Sequence, residues 1–296
     1  MTKLHIFGSI ICDLVGTGST LPQRDETILG QSFAQYPGGK GANQAVAAQR
    51  AGASTVLYGA VGRDVMGRFM LDALTPTGVD LTQIQETDAA TGCALVMVGD
   101  GTNQIMVIPG ANHHYSWHQM PSFTPSDVLL SQGECQPDDT LAFLRAGKTA
   151  GALTLFNAAP ASAPFKDAAS VVDILIVNEV EAAFFAGGDV SPVPSRMEMM
   201  ALNKRLGRND DQPLIITLGP AGAVSLIAGT YATHAALQVK AIDTVGAGDC
   251  FCGYLAAQLG EGARMADAID VAIRAASLSV QTAGAIPSLP LRAAVQ

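Results

Sequence analysis

At 296 residues, with 48% hydrophobic and 15% charged residues, the chain has a globular composition and enough length to bury a large core. Its net charge of −9 argues against a general binder of nucleic acid or membrane surfaces, so any nucleotide must be held by local dipoles and a metal rather than by a basic face. Five scattered cysteines (12, 93, 135, 250 and 252) form no Cys-x-x-Cys pair, which argues against a disulfide framework or a zinc cluster and points to reduced thiols in cytoplasm.

The N-terminal run 3–10 is interrupted too soon for a signal segment, and no apolar stretch reaches membrane-spanning length, so a soluble protein is expected. Strand-like apolar runs recur at 4–7, 55–61, 127–131, 153–156, 174–177 and 214–218. Helical or Ala-rich stretches, at 41–51, 66–74, 138–149, 179–186, 195–206, 248–259 and 265–282, follow most of them. This alternation predicts an α/β protein with a mostly parallel sheet covered by helices. The last helix is Ala-rich and nearly uncharged, which predicts burial. Regions 14–36 and 91–108 break the alternation; the second has a hairpin pattern around Gly99-Asp100-Gly101. Both are predicted to supply extra strands to a small lid sheet inserted in one large domain spanning 1–296.

Two motifs carry chemistry. In Asp243-Thr244-Val245-Gly246-Ala247-Gly248-Asp249, small residues precede a helix, so Gly246, Ala247 and Gly248 leave backbone N–H groups free to face an anion at the positive end of the helix dipole. Asp249 then stands where a general base could take the proton of an attacking hydroxyl. A Gly-rich turn capped by Asp is also an ordinary helix start. The third glycine of a dinucleotide fingerprint is missing at Phe251, and Gly39-Lys40 is followed by Gly41, not by the hydroxyl residue of a Walker A loop. The second motif, Gly38-Gly39-Lys40-Gly41-Ala42-Asn43-Gln44, presents N–H groups, an ammonium and an amide at a helix start, a donor and acceptor mixture suited to polyols.

Together these motifs resemble the two signatures of the PfkB carbohydrate kinase family, and the chain is most similar to its ribokinase branch. Gly110-Ala111-Asn112, Asn157 to Ala161, Asn178 to Glu181, Ile216 to Gly219 and Gly284 to Ser288 extend the similarity over nearly the whole length. The resemblance implies a ribokinase-like three-layer αβα sandwich with a small β-sheet lid, and ATP-dependent phosphorylation of a small sugar hydroxyl, D-ribose or a related sugar. A nucleoside kinase of the same family, or a non-catalytic sugar binder on this fold, is the alternative.

Residue by residue, the resemblance implies that Asp13, Gly39, Lys40, Asn43 and Glu134 hold sugar hydroxyls and that Asp249 is the catalytic base. Asn178 and Glu181 match a motif that organises phosphate-bound Mg2+, and Thr217, Gly219 and Gly222 match a segment along the ATP. Asp243, Val245, Ser279, Thr282, Gly284 and Ser288 align with loops that bind K+, and a homodimer through the lid is common in relatives. Departures accompany the matches. Ile11 replaces an asparagine that contacts ribose, so the sugar preference is expected to differ. Ile273 and Pro220 alter the nucleotide surroundings, Ala158 replaces a proline, and Tyr254 replaces a small residue. His113, His114 and His118 read as solvated loop residues, and Cys250 and Cys252 as packing residues.

Overall fold

The computed structural model describes residues 2–295. In chain order the elements begin β1 (Lys3–Phe7), β2 (Ile11–Thr17), β3 (Ser32–Gly38), α1 (Lys40–Arg50), β4 (Ser54–Gly62), α2 (Val65–Leu74), β5 (Asp80–Thr87), β6 (Gly92–Gly99) and β7 (Thr102–Ile108). They continue with β8 (Val128–Gln132), α3 (Pro137–Thr149), β9 (Leu153–Asn157), α4 (Lys166–Val171), β10 (Ile174–Asn178), α5 (Glu179–Ala186) and α6 (Arg196–Arg205). The last are β11 (Leu214–Thr217), β12 (Ala223–Ile227), β13 (Thr230–His234), α7 (Ala247–Gly260) and α8 (Met265–Ser279).

The nine-stranded central sheet has the order β13-β12-β11-β10-β9-β8-β1-β4-β5, parallel from β5 to β11 and antiparallel in the β12–β13 edge. Its inner strands are mostly apolar on both faces, as burial under two helical layers demands. Leu4 and Ile6 join the core beneath α1, α7 and α8, whereas Phe7 faces the core beneath α3 to α6; Ile174 and Ile176 alternate with Leu175 and Val177 in the same way. The lid is a separate four-stranded sheet, β3-β2-β6-β7.

Several boundaries differ from the sequence expectation. The lid strand β2 starts at Ile11, before position 14, so Asp13 is itself a lid residue. Helix α8 is amphipathic instead of wholly buried: Ala268, Ile269, Ala272 and Ile273 face the core while Asp267, Asp270 and Arg274 are exposed, so its three charges mark a solvent face. The β12–β13 hairpin was not anticipated. Its turn is Ala228-Gly229, with φ of 48° and 71°, and an alanine in the first of two left-handed positions gives no sequence signal for the tight turn. Edge strand β5 is half polar and equally hard to read.

The lid root is fastened by side chains. Asn112 accepts from the Ile10 N–H (2.8 Å) and donates to the Ile10 and Pro109 carbonyls (2.9 Å each). Asp64, the N-cap of α2, accepts from the Thr91 N–H and hydroxyl, tying β6 to the sheet layer. These contacts set where β2, and with it Asp13, approaches the C-terminal ends of the central strands.

Candidate active site

Strand β1 lies between β8 and β4, so successive crossovers leave it in opposite directions and open a crevice at the C-terminal strand ends. Three amide side chains stand at or near that crevice from Gln132, Asn157 and Asn178, the last residues of β8, β9 and β10. Helix α1 enters it with an unusually close approach: a Cβ on Gly41 would lie 2.4 Å from the Gly8 carbonyl carbon, and Gly39, at φ 91°, would meet the Ile11 nitrogen at 2.7 Å. Both glycines therefore have a packing reason, and Gly39 forms the junction between lid strand β3 and helix α1.

Asp249 sits in the first turn of α7, 7% exposed. Its two oxygens accept from Asn43 Nδ2 and Gln44 Nε2, each at 2.9 Å. Gln44 also donates to Asn157 Oδ1 (3.1 Å) and accepts from Gln132 Nε2 (2.7 Å). Asn43 Oδ1 is buried without a partner, which fits an acceptor waiting for a substrate hydroxyl. The anion-hole expectation needs one change. The Ala247 N–H turns back to the Thr244 carbonyl at 3.3 Å, whereas no backbone partner among the described residues takes the N–H of Gly248 or Asp249. Gly248 lines two adjoining cavities, and a Cβ there would meet nothing within 4 Å.

Glu134 accepts from the Ser9 hydroxyl and from the Lys40 N–H (3.1 Å), which holds it over the start of α1. Asp13, on β2, is pushed up to about 7 first by burial and then by the nearby Glu134 and Asp249, with Lys40 acting in the opposite sense. For the Lys40 ammonium, burial works against the charge, but Asp249, Glu134 and Glu181 outweigh it and hold it above its ordinary range. The same ammonium lines a polar cavity of about 240 Å³ with Asn178, Glu181, Thr217, Gly248 and Asp249. Lys40, expected among the sugar ligands, thus stands between Glu134, which its N–H meets, and the cavity lined by Asn178, Glu181 and Asp249.

Asn178 and Glu181 form a reciprocal capping box at the start of α5 (2.8–3.0 Å), and burial raises the Glu181 carboxyl against the pull of Asn178 and Lys40. A desolvated carboxylate and an amide oxygen beside an anion cavity are hard oxygen donors, which fits Mg2+. The polar cavity continues through Thr217, Thr244 and Gly248 into an apolar slot of about 350 Å³. Gly219, Gly222 and Pro220 line one side, and Ile273 with Ser277 the other, so the expected nucleotide segment and the unusual Ile273 and Pro220 meet here. Gly222 is required because a Cβ there would lie 1.9 Å from the His234 carbonyl oxygen.

The loops aligned with a monovalent cation site are brought together by Asp243, whose oxygens accept from the Val245 N–H (3.0 Å) and the Gly284 N–H (2.8 Å). Gly246 packs on Ala285, at 3.0 Å for a built Cβ, which couples these loops to the α7 turn. The Ser279 and Ser288 hydroxyls donate to local carbonyls at 2.8 Å, leaving their lone pairs free, and the Thr282 N–H bonds the Ser279 carbonyl at 3.2 Å. Carbonyls, hydroxyls and one carboxylate are a donor set that fits K+. Tyr254 and Ala158 lie outside the site: Tyr254 is core, its hydroxyl donating to the Pro290 carbonyl (2.8 Å), and Ala158 is buried in the opposite core. All five cysteines are free, with Cys250 and Cys252 buried as packing residues. Sequence reading gave no site role to Gln132, Asn157 or Ser9, because one amide or hydroxyl in a sequence looks like any other.

A profile described as pfkB family carbohydrate kinase matches residues 1–292. The chain is 33% identical over 295 residues to "Ribokinase" of Lactococcus lactis, covering 98% of this chain and 94% of the relative. Its fold superimposes on the structure of ribokinase from Giardia lamblia with a TM-score of 0.89 at 30% identity, covering 100% of this chain and 99% of the other. For Arabidopsis thaliana ribokinase complexed with ribose and ATP, the TM-score is 0.86 at 28% identity, with 100% and 98% covered.

Proposed function

The chain belongs to the pfkB family of carbohydrate kinases, and from that membership we propose that it is a ribokinase-like sugar kinase, transferring the γ-phosphoryl of ATP to a hydroxyl of D-ribose or a related sugar. One observation carries the reading: Asp249, held by Asn43 and Gln44, stands beside the free Gly248 N–H where the polar cavity meets the apolar slot.

Adenine occupies the slot between Gly222 and Ile273, and its phosphates run past Thr217 toward Gly248. The sugar lies under the lid, its hydroxyls received by Asp13, Asn43 and Glu134. Asp249 takes the proton of the attacking hydroxyl, while the Gly248 N–H and the Lys40 ammonium stabilise charge on the transferring group. Asn178 and Glu181 would hold Mg2+, which supplies charge neutralisation at the phosphate oxygens. The Asp243 and 279–288 loops would hold K+, ordering the α7 turn from behind. Products are a sugar phosphate and ADP.

We read 1–296 as one kinase domain with the lid inserted, working in the cytoplasm. The lid face bearing Phe33, Leu95, Met97, Met106 and Ile108 is exposed and apolar, which supports a homodimer through the lid.

A second reading has its own observation. Ile11 is 3% exposed, belongs to neither core cluster and shares a strand face with Asp13, so an apolar side chain faces the sugar region. This favours a less hydroxylated sugar or a nucleoside. An ATP-coupled assay over pentoses, deoxy sugars, hexoses and nucleosides, run beside Ile11→Asn, decides between them. A ribose hydroxyl left without the amide weakens ribose by about 5- to 150-fold, from roughly 1–3 kcal/mol. Ribose preferred by the wild type and not improved by Ile11→Asn would remove Ile11 as a specificity residue.

A further inference from the structure

Asp249 is gripped by two amides, and one of them cannot turn round. Gln44 is fully buried, and its Oε1 is already taken by Gln132 Nε2 at 2.7 Å. Its NH2 group must therefore face Asp249 Oδ1 (2.9 Å) and Asn157 Oδ1 (3.1 Å). Reversing Gln44 would set its oxygen against two oxygens and its NH2 against another NH2. Gln132 is fully buried too, and its polarity has a visible consequence: its Oε1 has no partner and is turned toward Gly8, where a Cβ would lie 2.0 Å away. A buried acceptor left unpaired is unfavourable. It is sustained here because the opposite orientation would propagate through Gln44 to the carboxylate.

We propose that Gln132 and Gln44 form a one-directional amide relay that keeps a donor aimed at Asp249 and so holds the carboxylate oriented toward the substrate hydroxyl. Gln44 and Gln132 are positioning residues in this scheme, and the proposal rests on Asp249 being the base. Asn43 holds the other carboxylate oxygen, but nothing fixes its polarity in the same way, since its Oδ1 is unpartnered. The remaining groups facing Asp249 are Lys40 on α1, Asp13 on β2, Glu181 on α5 and the thiols of Cys250 and Cys252 on α7. All of them are retained in the variants below.

The test is the pH profile of kcat at saturating ATP and sugar for the wild type, Gln44→Met, Gln132→Met and Asp249→Asn. Loss of the Gln44 donor is expected to move the acid limb of kcat up by about one pH unit, so that turnover falls up to about tenfold on the acidic side of the profile and recovers as pH rises, with the KM for ATP within about twofold. Gln132→Met leaves Gln44 in place but free to reverse, so a smaller shift in the same direction is expected. An acid limb that stays put while kcat falls evenly at every pH would overturn the relay and leave Gln44 as packing. An unshifted Gln132→Met profile would overturn the role of Gln132, and this variant carries the same test should Gln44→Met fail to fold. Wild-type turnover by Asp249→Asn would instead overturn the base assignment, whatever the glutamine variants do.

Discussion

Replacing Asp13 by asparagine removes one carboxylate from a group of three that includes Glu134 and Asp249. The folded-state value of about 7 against an ordinary 3.8 is a difference of about 3.2 units, an upper bound of about 4 kcal/mol at ~1.36 kcal/mol per unit. Asp13 is half-buried on a lid strand that solvent reaches, which brings the figure to on the order of 2 kcal/mol. The folded value is raised above the unfolded one. The stability associated with the neutral side chain is thus fully present below about pH 3.8 and lost as pH rises through about 7. Urea unfolding of the substrate-free protein should accordingly find Asp13→Asn no more stable than wild type near pH 4 and more stable by about 1–2 kcal/mol at pH 8. Sugar affinity should fall in the same variant, because the amide offers one acceptor oxygen and a donor NH2 where the carboxylate offers two acceptor oxygens. Equal stabilities at pH 8, or a gain that does not grow between pH 4 and pH 8, would refute the crowding argument.

Ala228→Asn should stabilise the protein by roughly 0.5–1 kcal/mol without touching activity, because Ala228 holds φ 48° in a two-residue hairpin turn that favours asparagine; thermal melts would read this. Potassium added to protein dialysed into a bulky organic cation should raise turnover through the loops that Asp243 ties to the α7 turn. Indifference to monovalent ions would count against that site.

The parallel core was legible in the sequence because each buried strand is a short apolar run, and the two Gly-rich motifs were legible because close backbone approach leaves glycines behind. The place of Asp249 at the start of α7 was legible too, because Gly246, at φ 78°, makes the left-handed turn that opens the helix. The arrangement of the amides Gln132 and Asn157 was not, since it comes from two separate strand ends, of β8 and β9, meeting at Gln44 on α1. The apolar slot was readable only in part, because its walls come from β11, the segment after β13 and the inner face of α8. That inner face was expected to be one side of a wholly buried helix, and the charges at Asp267, Asp270 and Arg274 were too few to reveal the exposed stripe.

The 31P spectrum of a mixture of protein, ATP, Mg2+ and D-ribose tests the central claim most directly. The account predicts that the γ-phosphate signal of ATP is replaced by a sugar phosphomonoester together with ADP, and that Asp249→Asn slows this about 10²- to 10⁴-fold while still binding ATP. Inorganic phosphate as the sole product, ATP left intact across a full panel of sugars and nucleosides, or an unimpaired Asp249→Asn would contradict it.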